Sequence, residues 1–265
     1  MNIHCSIGPE VMTKDEYHYL DHEVMGIIFS VQNELGRLFD EKIYQKAIMS
    51  RCLEAGLEVE AEVPVQVEYQ NFSKKYFIDL IINRCIIYEL KTVMSFNSKH
   101  RCQTMNYLFL TGFQYGKLVS MRPYSVKSEF ITTSLTPQDR KRFKVDQDGW
   151  KDIDQDSIWL REFIISLISD WGMFLNIPLY REAITFFQGG EQVFAAEVEI
   201  INKGTLLGTQ KVNLLNPEVA VHLSAVNSIR SYSDHLQRFL ENTSLKAIQW
   251  INFKGHQLTM KTIQP

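Results

Sequence analysis

The sequence predicts a mixed α/β fold in which a helix, a three-stranded meander, a second helix and a strand follow one another, twice along the chain. Three observations carry this. Apolar residues recur at helical spacing from Lys14 to about Ala55. From Leu57 the period changes to two, and beyond residue 157 a similar order of helical and alternating segments returns.

The elements follow in order. Tyr17, Leu20, Val24, Ile27, Ile28, Val31 and Leu35 line one face of a helix that stops at Gly36. A second helix, about Asp40 to Ala55, carries Ile43, Ala47, Ile48, Cys52 and Leu53 and ends at Gly56. Leu57, Val59, Ala61, Val63, Val65 and Val67 alternate with polar partners as a half-buried strand. "YFIDLIINRCIIYELKTV", Tyr76 to Val93, reads as two strands and a tight turn; "SKHRCQTMNYLFLTG" is a helix closing at Gly112, and "YGKLVSM" another strand. The polar stretch 136–156 has no periodicity and is read as a linker, leaving a first domain at 1–135 and a second α/β lobe at 157–265. That lobe opens with the helix "SIWLREFIISLISDWGMFL". Three strand-like runs follow: "REAITFFQGG", turning at Gly189-Gly190, then "EQVFAAEVEIIN" and "TLLGTQKVNLL". A helix from Val226 to Leu240 and the strand "LKAIQWINF" complete the order α-βββ-α-β.

With 265 residues, 45% hydrophobic and 22% charged, the composition is that of a globular protein with ample core material. Net charge is −3, so no overall basic field points to nucleic acid. Residues 1–144 hold 18 Lys and Arg against 17 Asp and Glu, and residues 145–265 hold 10 against 14. Cys5, Cys52, Cys85 and Cys102 form no CxxC pair, which argues against structural zinc. No signal-peptide pattern and no long apolar run are read, so a soluble cytoplasmic setting without a membrane partner is expected.

The hairpin at 76–93 holds the chemistry. If residues 83–85 form a three-residue loop, the facing pairs are 82/86, 81/87, 80/88 and 79/89, and facing residues share one side of the sheet. Lys91, two beyond Glu89, shares it too. Asp79, Glu89 and Lys91 then form one polar face, while Ile78, Leu80, Ile82, Ile86, Tyr88 and Leu90 form an apolar one. A two-residue turn would separate the acids. Crowded carboxylates hold a proton or attract a cation, and hard oxygen ligands suit Mg²⁺ or Mn²⁺. Taken alone, the pattern also describes an exposed strand face with an ordinary ion pair.

D-x9-E-L-K on a hairpin, with the surrounding αβββαβ order, resembles the PD-(D/E)XK nuclease superfamily. More narrowly, residues 20–131 resemble the small bacterial family named for its GxxExxY signature. "VQNELGRLFDEKIYQKAI" is similar to its first motif, with Glu41 and Tyr44; "FIDLIINRCIIYELK" is similar to its catalytic hairpin. "HRCQTMNYLFLTG" is similar to its H-x-x-Q-x-x-x-Y helix, with His100, Gln103 and Tyr107. Leu38 stands where the signature has glycine, and Ile78 where the superfamily often has proline. The resemblance implies Asp79, Glu89, the Leu90 carbonyl and Glu41 around Mg²⁺ or Mn²⁺, with Lys91 acting on the nucleophilic water or the transition state. Gln103, Tyr107, Tyr44 and His100 would line the substrate. It implies phosphodiester hydrolysis in nucleic acid, DNA before RNA. A binding module that keeps the fold with little turnover is the alternative, and a homodimer or a partner protein is a further expectation.

The second lobe lacks this set. Aligning "FIDLIIN" with "AEVEIIN" places Val198 at the position of Asp79 and the ELK counterpart near "TQKVNLL", so the lobe is expected to be non-catalytic. The cluster Arg140, Lys141, Arg142 and Lys144 reads as a solvated linker face or as a grip on a phosphate backbone.

Overall fold

The computed structural model describes residues 3–265; Met1 and Asn2, which fall in the expected first domain, lie outside the described residues. The chain divides into two compact units, Met1–Asp139 and Arg140–Pro265. Among the described residues no helix is long and apolar enough to cross a membrane.

The first unit runs β1 (Ile3–Cys5), α1 (Lys14–Leu35), α2 (Glu41–Glu54), β2 (Val59–Tyr69), β3 (Phe72–Ile82), β4 (Ile86–Lys91), α3 (Ser98–Thr111), β5 (Tyr115–Ser120) and β6 (Lys127–Thr132). The six strands lie in chain order. Only β4 and β5 run parallel, as the crossover through α3 requires. A capping box between Thr13 and Glu16 starts α1. Gly36, at φ 75°, stops it. The buried stripe of α2 is Tyr44, Gln45, Ile48 and Cys52, one step round from the expected face, and leaves Ile43 and Leu53 exposed. The face of the sheet carrying Leu80, Ile82, Tyr88 and Leu90 is buried with the apolar stripes of α1 and α2 in one core.

The second unit runs β7 (Lys144–Gly149), α5 (Gln155–Trp171), α6 (Ile177–Phe187), α7 (Glu191–Phe194), β8 (Ala195–Asn202), β9 (Thr205–Asn216), β10 (Val219–Ser224), α8 (Ile229–Glu241), β11 (Ala247–Lys254) and β12 (Gln257–Ile263); the four-residue α4 (Pro137–Arg140) precedes it. Its sheet order is β7-β12-β11-β10-β9-β8. The β8–β12 meander and crossover repeat β2–β6, with one parallel pair, β10 with β11, at the same place.

Three expectations are corrected here. The 136–156 stretch is not a linker throughout, because residues 144–149 pair in parallel with β12 as an edge strand. Residues 181–187 are helical rather than extended. Asn176 caps α6, Pro178 sits in its first turn, and Leu179, Tyr180, Ala183 and Ile184 are buried at helical spacing. The β-branched and aromatic run "AITFF" had suggested a strand, but burial on one helical face overrides that propensity. Gly189 and Gly190, at φ 93° and 97°, end this helix instead of turning a hairpin. Finally, Arg140 is fully buried, its Nη1 donating to the carbonyls of Trp171 (2.8 Å) and Met173 (3.3 Å), so it is no part of a solvated face.

With these corrections the repeat takes a different register. The β4–β5 ladder, Ile86–Tyr115 to Lys91–Ser120, matches the β10–β11 ladder, Val219–Ala247 to Ser224–Asn252, pair for pair. Glu89 therefore corresponds to His222 and Lys91 to Ser224. Across the β9–β10 hairpin His222 faces Val212, so the counterpart of Asp79 is Val212 on β9, not Val198. A shared detail supports the match. Ser120 Oγ donates to the Val93 carbonyl (2.6 Å) and accepts from the Val93 amide (3.2 Å). Asn252, at the same ladder position, grips the amide and carbonyl of Val226 (2.8 and 3.1 Å) in the same way.

Candidate active site

The β3–β4 hairpin turns through Asn83 and Arg84, both in the left-handed region at φ 47° and 51°. Leu80–Tyr88, Ile81–Ile87 and Ile82–Ile86 pair across it, the register of a three-residue loop. Asp79 lies just beyond this ladder, and its Oδ2 accepts from the Leu90 amide at 2.8 Å. Lys91 Nζ donates to Glu89 Oε1 (2.6 Å) and to the Leu90 carbonyl (2.8 Å), and lies 3.9 Å from Glu41 Oε1. Glu41 opens α2 and Lys91 ends β4, so helix start and strand end meet at one corner of the unit.

This corner is not an exposed ion pair. Glu89 is 1% exposed, and its Oε2 is buried without a hydrogen-bond partner. Burial first, then the charge of Asp79, push the Glu89 carboxyl up to about 8, against the pull of Lys91. Burial raises Asp79 as well, opposed by the Leu90 amide and Lys91. Burial likewise raises Glu41, with Lys91 opposing. Burial works to lower Lys91, but its bond and proximity to Glu89, with Glu41 and Asp79 adding, leave it raised.

Of the other expected residues, Gln103 Nε2 donates to Tyr107 Oη (3.1 Å) on α3. Burial, then Glu89, raises the Tyr107 hydroxyl, which places this ring in the field of the site. His100 closes the cap of α3: its Nδ1 accepts from the Asn97 amide (3.3 Å), and burial followed by Lys91 lowers its pKa. Tyr44 is fully buried; its hydroxyl donates to the Gly36 carbonyl (2.8 Å) and accepts from the Phe39 amide (3.3 Å). It fastens the loop before Glu41 and does not line an open surface.

Two residues were missed. Gln45 Nε2 donates to the Asp79 carbonyl and to Glu62 Oε1, both at 2.7 Å. Glu62, also bound by Lys42, interrupts β2 between the pairs Ala61–Leu80 and Val63–Ile78, and its backbone is left-handed at φ 53°. A non-glycine residue there is strained, and its charge adds to the crowding that raises Asp79 and Glu41. Pro64 was the hint, since proline inside a strand marks an irregularity.

The oxygen donors suit a hard divalent cation, and the orphaned Glu89 Oε2 is a buried acceptor in want of one. Among the described residues no three His, Cys, Asp or Glu side chains converge as they stand, and the Lys91 ammonium lies among the oxygens.

No curated protein matches this chain. The crystal structure of SSO0001 aligns with 22% identity and a TM-score of 0.30, over 45% of this chain and 61% of that one, so the chain spans about three fifths of its length. Residues 18–132, which run from within α1 to the end of β6 and hold every residue of the corner described above, match the family model of the PD-(D/E)XK nuclease superfamily.

Proposed function

We infer that the first unit is a Mg²⁺- or Mn²⁺-dependent nuclease of GxxExxY type, hydrolysing phosphodiester bonds in nucleic acid, DNA before RNA. The observation that carries this is Glu89: a carboxyl buried to 1% exposure, with one oxygen unpartnered, beside a second acid and a lysine. A structural strand has no use for such a group, which costs stability on ionising.

A bound divalent cation supplies Lewis-acid charge to the scissile phosphate and lowers the pKa of the attacking water. Asp79, Glu89 and the Leu90 carbonyl would hold it, with Glu41 as an outer carboxylate. The chain's own residues would position these groups. The Leu90 amide fixes Asp79 Oδ2. Gln45 fixes the Asp79 carbonyl. Glu89 would have to give up its proton to ligate a cation, which favours metal binding at rising pH. Released from Glu89 and Leu90, the Lys91 ammonium is free to donate to the nucleophilic water or to a phosphoryl oxygen that gains charge in the transition state. The second unit, with Val212, His222 and Ser224 at these positions, is non-catalytic.

The test is cleavage of single- and double-stranded DNA and RNA in Mg²⁺ or Mn²⁺, wild type beside Asp79→Ala. The substitution is expected to lower the rate by about 100-fold or more, the size of a lost electrostatic contributor. Activity that survives it sinks the site. Absence of both cleavage and calorimetric metal binding moves the reading to a binding module.

A further inference from the structure

We propose that the rim beside the candidate site binds the faces of unpaired nucleobases, so that the substrate is a single strand or the unpaired end of a duplex. This rests on the nuclease reading above and names its substrate class.

The rim is built from two fastened segments. Residues 36–40 are held by Tyr44 and by Arg122, whose Nη1 donates to the Arg37 carbonyl (2.9 Å) and Nη2 to that of Phe39 (3.5 Å). Arg122 Nε also donates to the Thr92 carbonyl (3.3 Å), next to Lys91. The second segment starts at Met121, whose amide donates to the Lys91 carbonyl (2.9 Å) and whose carbonyl accepts from Gln32 (2.8 Å). Leu38 is three residues from Glu41, and Tyr124 three from Met121, so each lies within about 10 Å of chain reach of Glu41 or of the residue bonded to the Lys91 carbonyl.

From this rigid base large apolar side chains point into solvent. Leu38 is 80% exposed and Tyr124 88%, with Phe39 and Met94 also exposed. The Arg37 guanidinium lies 3.9 Å from the centre of the Tyr124 ring, a cation–π pair with the other ring face uncovered by any described ring or cation. The segments are pinned by hydrogen bonds, so this exposure is not slack in a loop. Flat apolar surface beside an arginine suits the face of a base, which stacks without regard to sequence.

A paired duplex hides its base faces and offers phosphates, which a basic field would grip. The first unit has no overall basic field: residues 1–139 carry 14 Lys and Arg against 17 Asp and Glu, a net −3. A strand held by its bases needs less of one.

The experiment is fluorescence anisotropy on the full chain, wild type in EDTA and Asp79→Asn in Mg²⁺. The probes are labelled 12-mers: single-stranded DNA, single-stranded RNA, the DNA duplex, and an abasic sugar–phosphate strand. The single strands are expected to bind about tenfold or more tighter than the abasic strand and the duplex, the size of one or two stacked bases. The double variant Leu38→Ser/Tyr124→Ala is expected to erase that preference with an unchanged unfolding midpoint, since both side chains are exposed. Equal binding of the abasic strand or the duplex overturns the proposal, as does a preference that survives the double variant. Absence of binding to every probe overturns it too and leaves the rim to a protein partner. The nuclease reading fails separately, by absence of cleavage in Mg²⁺ or Mn²⁺. A chain that cuts duplexes it binds as well as single strands keeps that reading and loses this one.

Discussion

In the first unit the buried β5 position facing the first helix is Lys117, which donates to Asp21 on α1 (2.8 Å) while Tyr88 donates to the other oxygen of that carboxylate (3.0 Å). In the second unit the same ladder position is Gln249, which donates to Ser157 on α5 (2.9 Å). Near the strand end the loop latch recurs, Ser120 on Val93 and Asn252 on Val226. Two residues past it a basic side chain reaches a loop carbonyl in each unit, Arg122 to Thr92 and Lys254 to Asn227. Between anchor and latch the likeness stops. Glu89 and Lys91 correspond to His222 and Ser224; His222 is tied to Tyr232 (2.8 Å), and Ser224 accepts from Trp250 (2.8 Å) and donates to Asn252 (2.7 Å). The second unit bonds these polar groups to Tyr232, Trp250 and Asn252, whereas the first leaves a buried carboxylate oxygen open. The sheet fixes the same positions in both units; what differs is whether the groups there are satisfied.

The anchors provide the sharpest contrast. Removing Asp21 leaves the Lys117 ammonium buried without its counter-ion, so Asp21→Ala is expected to cost about 3–5 kcal/mol in denaturant unfolding. Ser157→Ala removes the neutral bond from Gln249 and the hydroxyl bond to Asp154, while Gln249 keeps the Lys151 carbonyl and Thr262 as partners; about 2 kcal/mol is expected. Equal costs would break the correspondence between the two anchors.

The corresponding residues Glu89 and His222 should drive stability in opposite directions with pH. Folded Glu89 keeps a proton up to about 8 that the unfolded chain releases near 4.5, so its contribution falls as pH rises through that window. Burial lowers His222, so the unfolded chain takes up a proton that the folded one resists, and stability falls as pH drops below 6.5. Without metal, Glu89→Gln should therefore gain on wild type by about 2 kcal/mol or more between pH 5 and pH 9, taking about 1.4 kcal/mol per pH unit and discounting for the Lys91 pair. His222→Gln should gain on wild type only toward acid. Thermal midpoints across that range check both signs, and a Glu89→Gln chain whose pH profile parallels wild type would show that the carboxyl is not held protonated.

Much of this was legible in the chain, for local reasons. The hairpin register followed from one turn length and a period of two, and both are properties of adjacent residues. The Asp21–Lys117 anchor was not legible, because the partners are far apart in sequence and Lys117 sits in an ordinary strand run. Glu62 and Gln45 hid for a related reason: a left-handed residue inside a strand breaks the alternation by which strands are recognised. In the second unit one misjudged segment, helical 177–187, displaced the whole meander by a strand. Val198 was then compared with Asp79 in place of Val212, although neither position carries an acid.

The latches carry the smallest effect and the finest distinction. Ser120 makes two bonds to Val93 through one hydroxyl, so Ser120→Ala should cost about 1 kcal/mol. Asn252 also accepts from Ser224, so its removal should cost somewhat more, about 2 kcal/mol. Their functional readouts should differ in kind. Val93 follows Lys91 by two residues, and loosening it frees the strand end that aims the ammonium; Ser120→Ala should lower the cleavage rate several-fold more than it lowers metal affinity. Asn252→Ala should change neither, since at the corresponding positions His222 and Ser224 are already bonded to Tyr232 and Trp250. If both substitutions slow cleavage alike, relative to their loss of stability, the latch reports only on folding and the asymmetry between the units lies elsewhere.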